Sequence, residues 1–258
     1  MPTALITGSS RGIGKAFAEE LASRGYDLIL AARTESDLIK IKTDLEQRYS
    51  VNVAYALADL CKEDSVEQVI NTVKQNASSL EILVNNAGYA YWGKFNELDL
   101  RKQEEMMYVN MNLLVKLCHR LVPLMKTSRK SYILNVSSSS AYQAVPTIAV
   151  YCASKAFVLQ FSRALRLELK NEKISVSCIS PGPTETNFME AAGMNSPTLL
   201  KNAAKFNMSP EKVARIGIEG LLKGKAEIIP GFLNQVQAKL VSWVPKSLTE
   251  KIAANLYK

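Results

Sequence analysis

The chain predicts a single α/β domain in which a seven-stranded, mainly parallel, doubly wound sheet is covered by helices on both faces. Two observations carry this expectation. Short apolar runs alternate with stretches of helical periodicity, the pattern of strands joined through helical crossovers. The 258 residues also hold no internal repeat, low-complexity tract or break in composition that would divide them.

The first run, Thr3–Thr7 (TALIT), passes straight into the turn GSSRGIG and a helical pattern over Ile13–Ser23. Strand-like runs follow as DLILA, VNVAYAL and EILVN. Leu100–Lys126 then reads as a long helix ahead of the run SYILNV. In the next helix, Val150–Lys170, the residues Ala153, Phe157, Phe161, Ala164 and Leu165 recur with a helical period. The last strands are ISVSCIS and AEIIP. Between them, residues 183–208 differ in character, with Phe188, Met189, Met194, Leu199, Leu200 and Phe206 set among polar residues. A long insertion after a strand's carboxyl end serves either as a lid over a ligand crevice or as a pair of surface helices. The pattern alone favours neither. Residues 231–258 form an amphipathic tail of two segments broken at Pro245. In it Phe232, Val236, Leu240 and Trp243 fall near helical spacing, with Lys239, Lys246, Lys251 and Lys258 alongside.

Composition excludes several functions. A net charge of +8 invites nucleic acid as a partner, yet the basic residues are scattered, with Glu19, Glu20, Asp44 and Glu46 among them. No basic cluster is interleaved with aromatics, so nucleic-acid binding is rejected. The four cysteines, Cys61, Cys118, Cys152 and Cys178, are widely spread, and Cys118–His119 lacks further ligands at metal spacing. Reduced thiols and no metal site are expected. No apolar run reaches the roughly 18 residues that cross a bilayer. A strand that begins by Thr3 leaves no space for a signal peptide, which makes the cytoplasm the expected compartment.

Two constellations carry chemistry. In the first turn, Gly8 permits a tight exit from the strand, Gly12 lets a pyrophosphate approach the backbone, and Gly14 lets the helix pack on the sheet. The N–H groups at the helix start then face the anion. In the second, Tyr151 and Lys155 stand four apart on one helix face, so the ammonium lies near the phenol. A free tyrosine titrates near pH ~10, and a fixed positive charge favours its phenolate and makes it a better acid. Ser138, after the run SYILNV, supplies a hydroxyl that can hold a substrate oxygen against that phenol. Ser137, Ser139 and Ser140 compete for the same role, and Tyr142 lacks a lysine four residues on.

TGSSRGIG, NNAG at Asn85–Gly88, Asn110 within YVNMN, Ser138, YCASK and PGPTET occur in one order along residues 3–230. Together they resemble the successive signatures of the short-chain dehydrogenase/reductase family, and no catalytic position departs from that pattern. The resemblance implies a Rossmann-like domain over residues 1–230, a nicotinamide dinucleotide, and hydride exchange between a carbonyl and an alcohol. By it, Tyr151 is the acid/base, Lys155 binds the nicotinamide ribose and tunes the tyrosine, and Ser138 orients the substrate. Asn110 holds a kinked helix and a water of the proton relay. The family's spacing selects Ser138 among the neighbouring serines. It also places a substrate-binding lid near residues 183–208. Cofactor contacts are implied at Gly8, Ser10, Arg11, Gly12, Ile13 and Gly14. Others fall at Asp59 and Leu60 by the adenine, at Asn86, Ala87 and Gly88 after the fourth strand, and at Tyr151 and Lys155 themselves. Pro181, Gly182, Thr184 and Thr186 sit near the nicotinamide carboxamide.

Dinucleotide folds that take NAD place a carboxylate after the second strand, on the ribose 2′-hydroxyl. Here that strand ends in Ala31, Ala32 and Arg33. Arg33 meets a 2′-phosphate with a planar fork of donors, and Arg11 adds a second charge, so NADP(H) is the expected cofactor. The expected activity is NADPH-dependent reduction of a hydrophobic ketone or aldehyde. A non-catalytic NADP(H)-binding sensor is the alternative, disfavoured because a sensor needs no tuned phenol. A homo-oligomer, dimer or tetramer, is expected, with the residue 231–258 extension packed on its own domain, on a partner subunit, or weakly at a membrane surface.

Overall fold

The structure, a computed structural model, describes residues 1–194 and 207–243. All seven apolar runs form strands: β1 (Thr3–Thr7), β2 (Asp27–Ala32), β3 (Val53–Leu57), β4 (Ile82–Asn85), β5 (Ser131–Val136), β6 (Ile174–Ile179) and β7 (Glu227–Ile228). They make one sheet in the order β3-β2-β1-β4-β5-β6-β7. Every pairing is parallel, including β6 with β7, so the sheet is parallel throughout rather than mainly so.

The helices are α1 (Gly12–Ala22), α2 (Glu35–Tyr49), α3 (Ser65–Asn76), α4 (Leu100–Met107), α5 (Leu113–Met125) and α6 (Ala149–Glu168). Then come α7 (Phe188–Ala191), α8 (Pro210–Leu222) and α9 (Phe232–Trp243). Side chains alternate across each strand, so one run feeds two cores. Ala4, Ile6, Leu28 and Leu30 face α1, α2 and α8, where Phe17, Leu38, Leu45 and Ile218 close the layer. Leu5, Ile29, Leu83 and Ile133 face α3, α5 and α6, against Val69, Leu117 and Val158. The central strands β1, β4 and β5 are buried along their whole length. That is why they read as continuous apolar runs and not as alternating ones. Each fully buried leucine or isoleucine there contributes roughly 2 kcal/mol relative to exposure.

The expected single helix over Leu100–Lys126 is in fact two, joined by a π-turn at Tyr108–Asn112. The widened turn carries Asn110, which is 1% exposed and bonded at both ends to the backbone of Tyr89. Tertiary bonds of this kind stabilise a π-turn that local propensity would not form. The four cysteines are free thiols, three of them buried. Among the described residues no cluster of metal-ligating side chains occurs, and no helix is long and apolar enough to cross a membrane. Leu199, Leu200, Phe206, Pro245, Lys246, Lys251 and Lys258 lie outside the described residues.

Candidate active site

The order of strands reverses between β1 and β4, and the crevice at their carboxyl ends is where doubly wound sheets bind ligands. Thr7 ends β1, and its Oγ1 accepts hydrogen bonds from Asn86 N (3.0 Å) and Ala87 N (3.1 Å). Asn86 Nδ2 donates in return to the carbonyls of Thr7 (2.9 Å) and Gly8 (3.1 Å). These four bonds lock the two strand ends together. Gly8 and Gly12 have φ of +65° and +56°, which an L side chain adopts only under strain. A Cβ at Gly14 would lie 2.1 Å from the Gly8 carbonyl oxygen and 2.5 Å from Asn86 Nδ2. The expected role of that glycine as a close-packing position is thus a matter of geometry.

A cavity of about 980 Å³ opens above this crevice. Of the residues singled out in the sequence, Gly8, Arg11, Gly12, Ile13 and Gly14 line it from the first turn. Asn86, Ala87 and Gly88 line it from β4, and Pro181, Gly182, Thr184 and Thr186 from beyond β6. Ser138, Tyr151 and Lys155 complete the wall. Ser10, Arg33, Asp59, Leu60 and Asn110 do not line it. Arg33 is exposed at the end of β2, Asp59 accepts from Cys61 N (3.3 Å), and Leu60 is buried in the α3-side core. Asn110 sits one layer behind the wall.

Tyr151 and Lys155 come from the first turns of α6, both buried. The Lys155 Nζ lies 5.7 Å from the centre of the Tyr151 ring and donates to the Val136 carbonyl (3.0 Å). Burial pushes its ammonium down from 10.5 to about 8. A Cβ at Gly88 would lie 2.9 Å from Asn110 Oδ1 and 3.0 Å from Lys155 Nζ. Bare backbone at Gly88 leaves room for both polar atoms. Asn110 Nδ2 also donates to Ser154 Oγ (3.0 Å), which donates to the Tyr151 carbonyl (2.7 Å). The π-turn and the first turn of α6 are therefore tied together.

The serines at the end of β5 differ in what their side chains meet. Ser137 Oγ turns inward and donates to the Lys155 carbonyl (2.7 Å). The next side chain, Ser138, lines the cavity and accepts from Ser140 N (3.2 Å). Ser139 and Ser140 line the cavity as well. Tyr142 is turned away to Glu227 and Ser180, and burial followed by the Glu227 carboxylate raises its phenol far above the ordinary value. It is no proton donor for this site.

Of the segment 183–208, the two ends clamp together: Thr184 bridges Met208, and Glu185 N and Met208 N donate to Met208 O (3.0 Å) and Pro183 O (3.1 Å). From that base α7 presents Phe188 to Tyr151 at 5.7 Å between ring centres. Trp92 N holds the Ala192 carbonyl (2.9 Å). Met189, Met194, Val145 and Ile148 make the rest of the cavity apolar on this side. Leu233 and Asn234 of α9 also line it, although nothing in the sequence pointed to them. Thr7 and Ser154 were missed too; a polar residue closing an apolar strand and a serine inside YCASK were the available signals.

Bare backbone at Gly12 and Gly88, the guanidinium of Arg11 and the buried Lys155 ammonium together fit an anionic dinucleotide. Comparison with known proteins agrees. The model of the family described as short chain dehydrogenase matches residues 2–197. Hydroxysteroid dehydrogenase-like protein 1 of Gallus gallus is 34% identical, spanning 89% of this chain and 67% of its own. The very-long-chain 3-oxoacyl-CoA reductase of Mus musculus is 30% identical over 93% of this chain and 76% of its own. Among solved structures, a short-chain dehydrogenase from Sphingobium yanoikuyae in complex with NADPH superposes with a TM-score of 0.81 at 29% identity, over 96% of this chain and 98% of that one. The chain belongs to the short-chain dehydrogenase/reductase family, NAD(P)-dependent oxidoreductases that act on carbonyl and alcohol groups.

Proposed function

We propose that this protein is an NADPH-dependent reductase of hydrophobic ketones or aldehydes. The observation that carries it is the convergence of Tyr151, Lys155 and Ser138 on one cavity that is also lined by the apolar Val145, Ile148, Phe188, Met189 and Met194. When bound, the nicotinamide supplies the hydride. Tyr151 gives its phenolic proton to the carbonyl oxygen, and Ser138 Oγ donates a second hydrogen bond to the same atom. Lys155 favours the phenolate left behind and holds the ribose hydroxyls. Asn110 fixes the α6 turn that carries both. Positioned proton transfer of this kind is worth about 10²–10⁴-fold in rate.

Preference for NADP(H) rests on Arg33 and Arg11, with no carboxylate where β2 ends, and the Sphingobium yanoikuyae relative carries NADPH. A hydrophobic substrate rests on the cavity's apolar side; two relatives bear names of steroid and long-chain acyl chemistry. The exposed apolar residues of α9, Phe232, Leu233, Val236 and Leu240, support contact of the tail with a partner subunit or a lipid surface. The test is NADPH oxidation, followed by absorbance, over a panel of apolar ketones, aldehydes and β-oxoacyl thioesters. Turnover abolished by Tyr151→Phe supports the assignment. Binding of NADPH with no turnover on any carbonyl would leave a cofactor sensor instead.

A further inference from the structure

Asn234 is the third residue of α9, lies beyond the stretch matched by the family model, and is 8% exposed. Its amide is flattened against the Pro181–Gly182 corner: a Cβ at Gly182 would sit 2.5 Å from its Nδ2 and 2.7 Å from its Oδ1. Gly182 is therefore bare because an asparagine lies on it, a reason the sequence did not supply. On the other side, Gly231, with φ of +89°, brings the chain back so closely that a Cβ there would be 3.1 Å from the same Nδ2.

The amide's orientation follows from its partners. Nδ2 donates to the Pro230 carbonyl (2.8 Å), which leaves Oδ1 as the acceptor, and among the described residues no group donates to it. The residue lines the main cavity. Because the residue is part of the cavity wall, its amide oxygen is an acceptor that a ligand N–H can meet in place of water. The neighbouring hydroxyls are held within their own turn: Thr184 Oγ1 donates to the Gly182 carbonyl (3.0 Å), and Thr186 Oγ1 donates to the Thr184 carbonyl (3.5 Å) and accepts from Phe188 N (3.3 Å). At this corner the amide of Asn234 offers a fixed side-chain acceptor.

We propose that Asn234 is a cofactor-binding residue whose Oδ1 accepts a hydrogen bond from the carboxamide N–H of the nicotinamide. The inference rests on the proposed reductase function and on the family resemblance, which implies that the nicotinamide carboxamide lies near Pro181, Gly182, Thr184 and Thr186. It makes α9 part of the cofactor site: the helix that closes the cavity also fixes the rotation of the carboxamide, and with it the ring face offered to substrate. The donor matters, because a carboxamide carries N–H groups and an acetyl group of the same shape carries none.

The experiment uses that difference. Dissociation constants of the full-length protein are measured for NADPH and for its 3-acetylpyridine analogue by quenching of protein fluorescence. They are compared between wild type, Asn234→Ala and Asn234→Leu, the second keeping the volume that packs on Gly182. The wild type is expected to favour NADPH over the analogue, and each variant to lose about tenfold of that preference, equivalent to ~1.4 kcal/mol of coupling. Loss of affinity for both cofactors in equal proportion, or no change for either, overturns the proposal and leaves Asn234 a packing residue. A wild type that binds neither cofactor overturns the functional reading itself, a different outcome from a preference that survives substitution.

Discussion

Replacing Lys155 with methionine should make the cofactor-free protein more stable while disabling it. The ammonium is 4% exposed, has no carboxylate in contact among the described residues, and is pushed by burial from 10.5 down to about 8. At ~1.4 kcal/mol per tenfold change, that gap corresponds to about 3 kcal/mol of unfavourable charge burial at neutral pH. The sign follows from proton counting. Between pH 8 and 10.5 the unfolded chain holds the proton that the folded chain has released, so stability rises with pH across that window. Below pH 8 the whole penalty is present. Methionine fills much of the same volume, removes the charge, and forfeits the bond to the Val136 carbonyl, worth about 1 kcal/mol. The net gain at pH 7 is then about 2 kcal/mol, or roughly 4–8 °C in Tm for a chain of this size. Urea melts of both proteins without cofactor, at pH 7 and at pH 10, measure it; the advantage of the variant should shrink at the higher pH. Affinity for NADPH and turnover should both fall. A variant no more stable than wild type at pH 7, with a difference indifferent to pH, would refute the idea that charge burial is tolerated here for function.

Three further outcomes can be checked. Tyr151→Phe should lower kcat by about 10²–10⁴ with the NADPH dissociation constant nearly unchanged, since the lost hydroxyl is the acid while Lys155 and the glycine turn remain to hold the cofactor; comparable loss in both measurements would misplace its role. Gly14→Ala drives a methyl to 2.1 Å from the Gly8 carbonyl oxygen, which only movement of the backbone relieves. A cost of roughly 1–3 kcal/mol in denaturant melts, together with loss of cofactor binding, is expected. Arg33→Ala should narrow the ratio of kcat/KM for NADPH over NADH by about tenfold or more, because a guanidinium–phosphate pair is charge-assisted; an unchanged ratio assigns the preference elsewhere.

The strands were legible because a sheet buried on both faces demands apolar residues at nearly every position, and local composition reports that demand directly. The glycine turn and the Tyr151–Lys155 pair were legible for a related reason: their chemistry depends on spacing within one element. What sequence could not show depends on separate elements meeting. The π-turn at Asn110 exists through bonds to Tyr89 and Ser154, residues 21 and 44 positions away. The distinction between Ser137 and Ser138 needs only the twofold alternation of a strand end, yet it needs to be known which face α6 covers. Arg33 and Asp59 were read from strand ends, and the structure leaves both outside the cavity wall. Asn234 gave no signal at all. An asparagine early in a helix is an ordinary thing until the chain returns across the sheet and lays it on a glycine 52 residues earlier in the sequence. Close approach between two such distant residues is a property of the assembled fold, which no window of local sequence reports.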